Sequence, residues 1–462
     1  MLLLYSLALI MGATAMPLRL DEILQVSNPE DPSLHGALET SEQTPGAAPL
    51  NYLAQHLVVE RLGHSRISVR LISLLFAVAA SWMFYKLAAR VPLRHPELAT
   101  LIFAALPLHF LFAITGRPYE QALFFLVLSL YLFLRLLSRP TLLGAAAYCA
   151  TLCASLYTEP MAFWPSLGLL IFLLCFIKVE QQRRAFWYLL AATAVPPFLY
   201  LPYYLWATPK RSPEWLYASV PSNSAYAQVF ENVSGAGSVA YIFSGLLLLG
   251  VVLAVWQSSL LRTRASLRTV VFCCFGSVLV SITAALGFAA LSGSPIWPNQ
   301  MLWICPQIVL LTFILFDFLD SRLEKPLVTS FGAILLLVLC LIGNAQNLQA
   351  NSRTDLEALA NAIPAELGSG DSCVVFVSER LSNRLFLLFQ PQLKNRECLN
   401  FLHPAVVLAI HPYVLPDQLR DAETYFAGLN FVESKRILIK GGEIIDMRQK
   451  DTANTDALII PE

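Results

Sequence analysis

Apolar blocks of near-spanning length, separated by short polar breaks, set the pattern of the chain. They run near residues 1–18, 70–88, 98–115, 121–138, 141–158, 162–178, 186–206, 238–257, 269–291, 301–319 and 327–343. A helix rises about 1.5 Å per residue, so a hydrocarbon core of about 30 Å takes about 20 residues to cross. The pattern predicts an all-α polytopic membrane domain over residues 1–343, with about eleven transmembrane helices. The first block lacks a basic lead, yet Ala13-Thr14-Ala15 resembles a signal-peptidase site. Retention of that helix is expected, because it would tether the polar residues that follow.

The breaks alternate in charge. One set carries Lys86, Arg90 and Arg94; Arg135 and Arg139; Lys178, Arg183 and Arg184; Arg262, Arg264 and Arg268; Arg322 and Lys325. The other set is poor in basic residues, and basic loops stay cytoplasmic. The N-terminus is therefore expected inside and everything after residue 343 outside. The long breaks, 19–69 and 207–237, fall on the outer side. In the first, Leu50, Leu53, Leu57 and Val58 share a helical face, with Asn51, Gln55 and Glu60 between them, which predicts a helix lying in the interface. In the second, Trp215, Tyr217 and Tyr226 suit the headgroup zone.

After residue 343 the period changes. Ser372–Ser378 and Val406–Ile410 read as buried strands, Asp417–Leu429 as a helix, and Phe431–Lys440 with Glu443–Arg448 as a hairpin about Gly441-Gly442. Residues 344–462 are thus expected to form a small C-terminal extracytoplasmic α/β domain. Gly368-Ser369-Gly370 precedes a strand, the wrong order for a phosphate-binding loop.

Composition agrees: 56% of residues are hydrophobic and only 13% charged. Acidic and basic residues balance at 31 each, so no net charge points to nucleic acid. Of nine cysteines, seven lie in apolar blocks as small hydrophobes. Cys373 and Cys398 alone fall in the polar C-terminal region, where an oxidising compartment would let them pair; paired and free states both stand.

Candidate chemistry gathers on the outer side. Asp21 and Glu22 follow the first block, and a partly buried carboxylate there is placed to act as a general base. Gly116-Arg117-Pro118-Tyr119-Glu120 is a very short external turn whose arginine suits a phosphate, with Glu120 orienting it or meeting a cation. Arg117 as an interfacial snorkelling residue is the competing reading. Glu159 in the next external turn and His109 within the third block are expected to line the same cavity, with His56 on the interfacial helix and Lys210 and Arg211 in the long loop beside it. Asp317 and Asp320 do not have metal-pair spacing and lie on the cytoplasmic side. No ligand set demands a metal, although a divalent ion remains open. With no cytoplasmic domain to hold a nucleotide-linked donor, an external transferase would need its sugar delivered as a lipid phosphate.

Four segments in order resemble the GT-C superfamily of membrane glycosyltransferases, in particular the dolichyl-phosphate-mannose-protein mannosyltransferase and aminoarabinose transferase-like group. They are Leu18–Glu22 (LRLDE), Ala48–Leu53 (APLNYL) followed by His56, Arg66–Phe76, and Leu106-Pro107 through Gly116-Arg117-Pro118-Tyr119. The resemblance covers residues 1–205 well and the remainder by topology. It implies inverting transfer of a sugar from a polyprenyl-phosphate-linked donor to a glycan, lipid or protein acceptor outside the membrane. Asp21 would be the catalytic base, Glu22 its support or a metal contact, and Arg117 the donor-phosphate contact. Two departures stand out. Ala47-Ala48-Pro49 lacks the lysine and first proline of that group, and Asn299–Pro306 lacks an arginine; Lys210 and Arg211 would substitute as phosphate contacts.

Two other classes remain open. A lipid-linked glycan transporter would show internal repeats and polar mid-membrane helices, and neither is evident. A non-catalytic scaffold that binds glycan through the C-terminal domain is compatible with the departures.

Overall fold

The computed structural model describes residues 1–26, 31–44, 47–91, 93–176, 183–210, 265–292, 298–324, 327–352, 355–367, 372–376, 405–410, 416–439 and 442–449. The chain divides into two compact units. One comprises Met1–Thr14 with Ala37–Gln349, the other Ala15–Gly36 with Ala350–Glu462.

The larger unit is helical. It contains α1 (Leu2–Ala15) up to Thr14, the end of α3 (Leu34–Gln43), then α4 (Pro49–Leu62), α5 (Arg66–Arg90), α6 (Pro96–Ala105), α7 (Pro107–Ala113), α8 (Tyr119–Ser138), α9 (Leu142–Leu156), α10 (Trp164–Phe176), α11 (Arg183–Ala207), α12 (Ala265–Ser292), α13 (Pro298–Leu302), α14 (Cys305–Leu323) and most of α15 (Leu327–Asn351). Among the described residues, five helices are long and apolar enough to cross a membrane: Arg66–Arg90, Tyr119–Ser138, Arg183–Lys210, Thr269–Gly287 and Leu327–Gln349. The bent pair α6–α7 makes a sixth if it is one span. The α1 and α9 segments and Pro160–Phe172 are shorter apolar helices. The chain is a multi-pass membrane protein. The expected block at 238–257, with Trp215, Tyr217 and Tyr226, lies outside the described residues.

Three local departures from the expected helices have physical causes. The block at 98–115 is two helices bent by 62°. Pro107 has no N–H to continue the ladder and holds Leu106 extended, at φ −51° and ψ 130°. The block at 327–343 continues as helix to Asn351, because nothing between Gly343 and Ala350 breaks it. The interfacial stretch does form helix α4, yet Asn51, Tyr52 and Gln55 are buried while Leu57 is exposed. Asn51 and Gln55 of its polar edge face protein, while Leu57 and Leu62 near its end face outward.

The membrane core is contiguous from Phe84 on α5 through Phe103, Leu126, Phe133 and Tyr148 to Val271, Leu310 and Cys340. Small residues allow close backbone approach. A Cβ on Gly168 of α10 would meet Ser277 Cα of α12 at 2.7 Å, so these helices touch backbone to backbone. Asp320 caps the start of α15, its oxygens accepting from Val328 N at 2.7 Å and Thr329 N at 3.1 Å, and Asp317 accepts from Arg94 N at 2.8 Å. These two carboxylates serve helix ends.

The smaller unit holds α2 (Leu20–Val26), α16 (Leu356–Leu367), α17 (Pro416–Gly428) and four strands: β1 (Ser372–Phe376), β2 (Ala405–Ile410), β3 (Phe431–Ile439) and β4 (Gly442–Gln449). Sheet order is β1-β2-β4-β3. β1 and β2 are parallel, and β4 runs antiparallel to both β2 and β3. Alternation places Cys373, Val406, Leu408, Ile410, Ile445 and Met447 on one face, packed with Phe426 of α17 and Phe431. Cys373 is in a disulfide, and Cys398 lies outside the described residues. At the surface, Arg436 contacts Glu423 at 2.7 Å, Glu433 at 2.7 Å and Glu443 at 3.0 Å. Its guanidinium holds the Glu433 carboxyl below the ordinary glutamate value.

Candidate functional site

The break between α7 and α8 spans Ile114–Pro118, and the fold fastens it from several sides. Gln55 of α4 donates to Val69 O at 2.6 Å and Gly116 O at 3.1 Å. Ser73 of α5 donates to Arg117 O at 2.9 Å. Gly116 presses so close to α5 that an added Cβ would meet Val69 O at 2.6 Å. At the third residue of α8, Asn51 of α4 donates to Gln121 at 3.0 Å. Buried backbone carbonyls in a turn need such partners, and here side chains of two neighbouring helices supply them. Arg117 is half-buried, with its guanidinium carbon 5.7 Å from the centre of the Tyr119 ring. Tyr119 packs edge-on against Phe112 at 4.6 Å.

Beneath the turn lies a buried ionisable pair. His109 Nδ1 on α7 is 2.9 Å from Glu120 Oε2 on α8, and both side chains are fully buried. The other ring nitrogen is 3.0 Å from the Tyr5 hydroxyl of α1 and 3.3 Å from Ser81 Oγ of α5. Phe103 stacks on the imidazole at 4.6 Å. Nδ1 and the Glu120 carboxylate approach at ion-pair distance without a well-aligned hydrogen bond, while Nε2 lies within reach of two hydroxyls. A charged group in the membrane interior is costly unless paired, and this pair satisfies that condition.

The expected residues fall into separate groups. His109, Glu120, Tyr119 and Arg117 lie at and under one turn. Glu120 reaches His109, where the sequence suggested Arg117 or a cation. Glu159 is buried at the next turn, which α4 also touches through a Leu50 N–Tyr157 O bond of 2.8 Å. His56 is partly buried on α4 and lies 3.8 Å from Glu60 on the same helix. Lys210 is held by Glu42 of α3 and lies 4.1 Å over the Trp206 ring, while Trp206 Nε1 donates to Glu42 at 2.9 Å. Glu42 offsets part of the positive charge that Lys210 could offer a phosphate. Arg211 lies outside the described residues.

Asp21 and Glu22 belong to the smaller unit, on the first turn of α2. Glu22 is buried and accepts from Arg19 N at 2.8 Å, the reciprocal half of a capping box. Asp21 is exposed. Of the two carboxylates, one is used to start a helix and the other faces outward. No cluster of three or more His, Cys, Asp or Glu side chains suited to a metal occurs among the described residues.

Tyr5, Ser73, Ser81, Gln55 and Glu42 are the participants that sequence reasoning missed as site residues. Tyr5 and Ser81 carry a weak signal, being among a few polar side chains in apolar blocks. Gln55 sits at a spacing that matches an amphipathic helix, and nothing in that spacing says which edge faces protein.

No protein-family model matches the chain, and no curated protein matches it in sequence. Solved structures do. A crystal structure of ArnT from Cupriavidus metallidurans in the apo state aligns with 100% of this chain and 99% of its own, at TM-score 0.56 and 12% identity. A structure of the same protein bound to undecaprenyl phosphate aligns with 100% of this chain and 98% of its own, at TM-score 0.60 and 13% identity. The likeness is one of fold, and it runs end to end: this chain has the GT-C-like membrane fold of ArnT.

Proposed function

We propose that this chain is an integral membrane glycosyltransferase that moves a sugar from a polyprenyl-phosphate-linked donor to an acceptor on the outer face of a bacterial inner membrane. The observation that carries the reading is the full-length fold likeness to a protein whose structure holds undecaprenyl phosphate. Asp21, exposed on α2, takes the proton of the acceptor hydroxyl while that oxygen attacks the anomeric carbon. The phosphate-linked carrier leaves from the opposite side, so configuration inverts. Arg117 grips the leaving phosphate through paired hydrogen bonds, which stabilise its growing negative charge. Glu22 holds the helix that carries Asp21. Glu159, Tyr119 and His56 are the further candidates for lining the donor's path, and Lys210 adds positive charge; Arg211 is a candidate phosphate contact by sequence alone.

Transfer from a radiolabelled undecaprenyl-phosphate sugar, assayed in nanodiscs with membrane extract as acceptor, tests this. Asp21→Asn should lower the rate by about 100-fold or more with the folded yield unchanged. Full activity of Asp21→Asn would remove it as the base. Absence of transfer by the unsubstituted protein from any lipid-phosphate sugar would remove the reading.

A further inference from the structure

We infer that His109, Glu120 and Ser73 are positioning residues that aim Arg117 at its anionic ligand, the phosphate of a prenyl carrier; this rests on the glycosyltransferase reading above. The turn Ile114–Pro118 joins two helices, and the His109–Glu120 contact at 2.9 Å ties those helices together just below it. His109 lies eight residues before Arg117 and Glu120 three residues after it, so the pair closes the base of the loop that presents the arginine.

Both side chains of the pair are fully buried and face each other, while the partly exposed Arg117 and Tyr119 lie nearer the surface. It is therefore unsuited to contact substrate and suited to fix geometry. Tyr5 and Ser81 hold the imidazole from its other edge, and Phe103 holds its plane. Above the pair, the Ser73 hydroxyl pins the carbonyl of Arg117 itself, and Gln55 pins that of Gly116. Two successive peptide units are thus bonded to two different helices. The arginine's backbone is fixed before any ligand arrives, which lowers the ordering cost of gripping a phosphate.

Such a role makes a prediction that simple stabilisation does not. If Glu120 and Ser73 act through Arg117, their removal has no further effect on ligand binding once Arg117 is gone. The experiment is a double-mutant cycle. Binding of undecaprenyl phosphate to the full chain in nanodiscs is titrated by native mass spectrometry for the unsubstituted protein, Glu120→Gln, Ser73→Ala, Arg117→Ala and the two doubles with Arg117→Ala. Glu120→Gln should weaken binding about tenfold and Ser73→Ala several-fold on the Arg117 background, and each less than about twofold on the Arg117→Ala background. Equal losses on both backgrounds, or no loss on the first, overturn the inference. Ser73→Ala removes a single hydrogen bond and carries the test alone if Glu120→Gln does not fold. Failure of the unsubstituted protein to bind undecaprenyl phosphate refutes the donor reading itself, a result distinct from a non-coupled cycle.

Discussion

At the scale of the residue, Gly116 states the constraint on the turn most sharply. Its Cα hydrogen occupies the place where a methyl group would strike Val69 O. Backbone cannot yield as a flexible side chain can, so Gly116→Ala should destabilise the membrane unit by about 1–3 kcal/mol. Thermal unfolding in detergent reads this, and an unchanged midpoint would mean that the two segments separate freely. Arg117, Glu120 and His109 were conspicuous in the sequence because charge and imidazole stand out among apolar blocks, with Tyr119 between the first two. Their partnership was not. A histidine and a glutamate eleven residues apart give no signal of contact until the five-residue turn between them lays α8 back against α7. Glu22 was expected to support Asp21 or meet a metal, and its side chain accepts from the Arg19 backbone N–H at the start of the helix that carries both.

At the scale of the element, helix ends and edges decide what is used. Asp320 holds two N–H groups at the start of α15, so Asp320→Ala should cost about 1 kcal/mol or more, measurable as a lowered unfolding midpoint. In the smaller unit, Arg436 lowers the Glu433 carboxyl below its ordinary value. A carboxyl with a depressed folded pKa lends stability above its unfolded value and loses it as pH falls through the folded value. Glu433→Gln should therefore lower the melting point of the protein slightly near pH 7 and make no difference near pH 3. A gap that persists at pH 3 would show that the effect is not ionic. The strands, the hairpin and α17 were legible within one or two residues, since period-two alternation and Gly441-Gly442 mark them strongly. Helix α4 was legible as a helix, but its orientation was not. Amphipathicity reports that two faces differ, and only the surroundings say which one is inside.

At the scale of the whole molecule, the loop charges predict that the C-terminal segment lies outside, and this expectation is open to direct measurement. Asp421 is exposed on α17. An introduced Asp421→Cys should react with a membrane-impermeant maleimide added to intact cells. Labelling only after the inner membrane is breached would place that segment inside and would also undo the argument that the donor must be lipid-borne. The membrane class and the α/β appendage were legible because hydrocarbon imposes a coarse rule on every crossing segment. The division of the chain was not: residues 15–36 belong with the C-terminal segment, from which more than 300 residues separate them. No local pattern encodes a pairing at that distance.

The bend at Pro107 has a consequence for the lipid around the protein. Ten residues of α6 and seven of α7, meeting at 62°, reach about 22 Å end to end, against about 30 Å of hydrocarbon. If the pair is one span, the Ile114–Pro118 turn must cover the remaining depth, and a bilayer thinned beside it would bring the surface to the end of α7. Under the proposed activity, transfer rates should then depend on acyl-chain length, highest in short-chain lipids and falling as the chains lengthen, with membrane thickness acting as a tuning parameter.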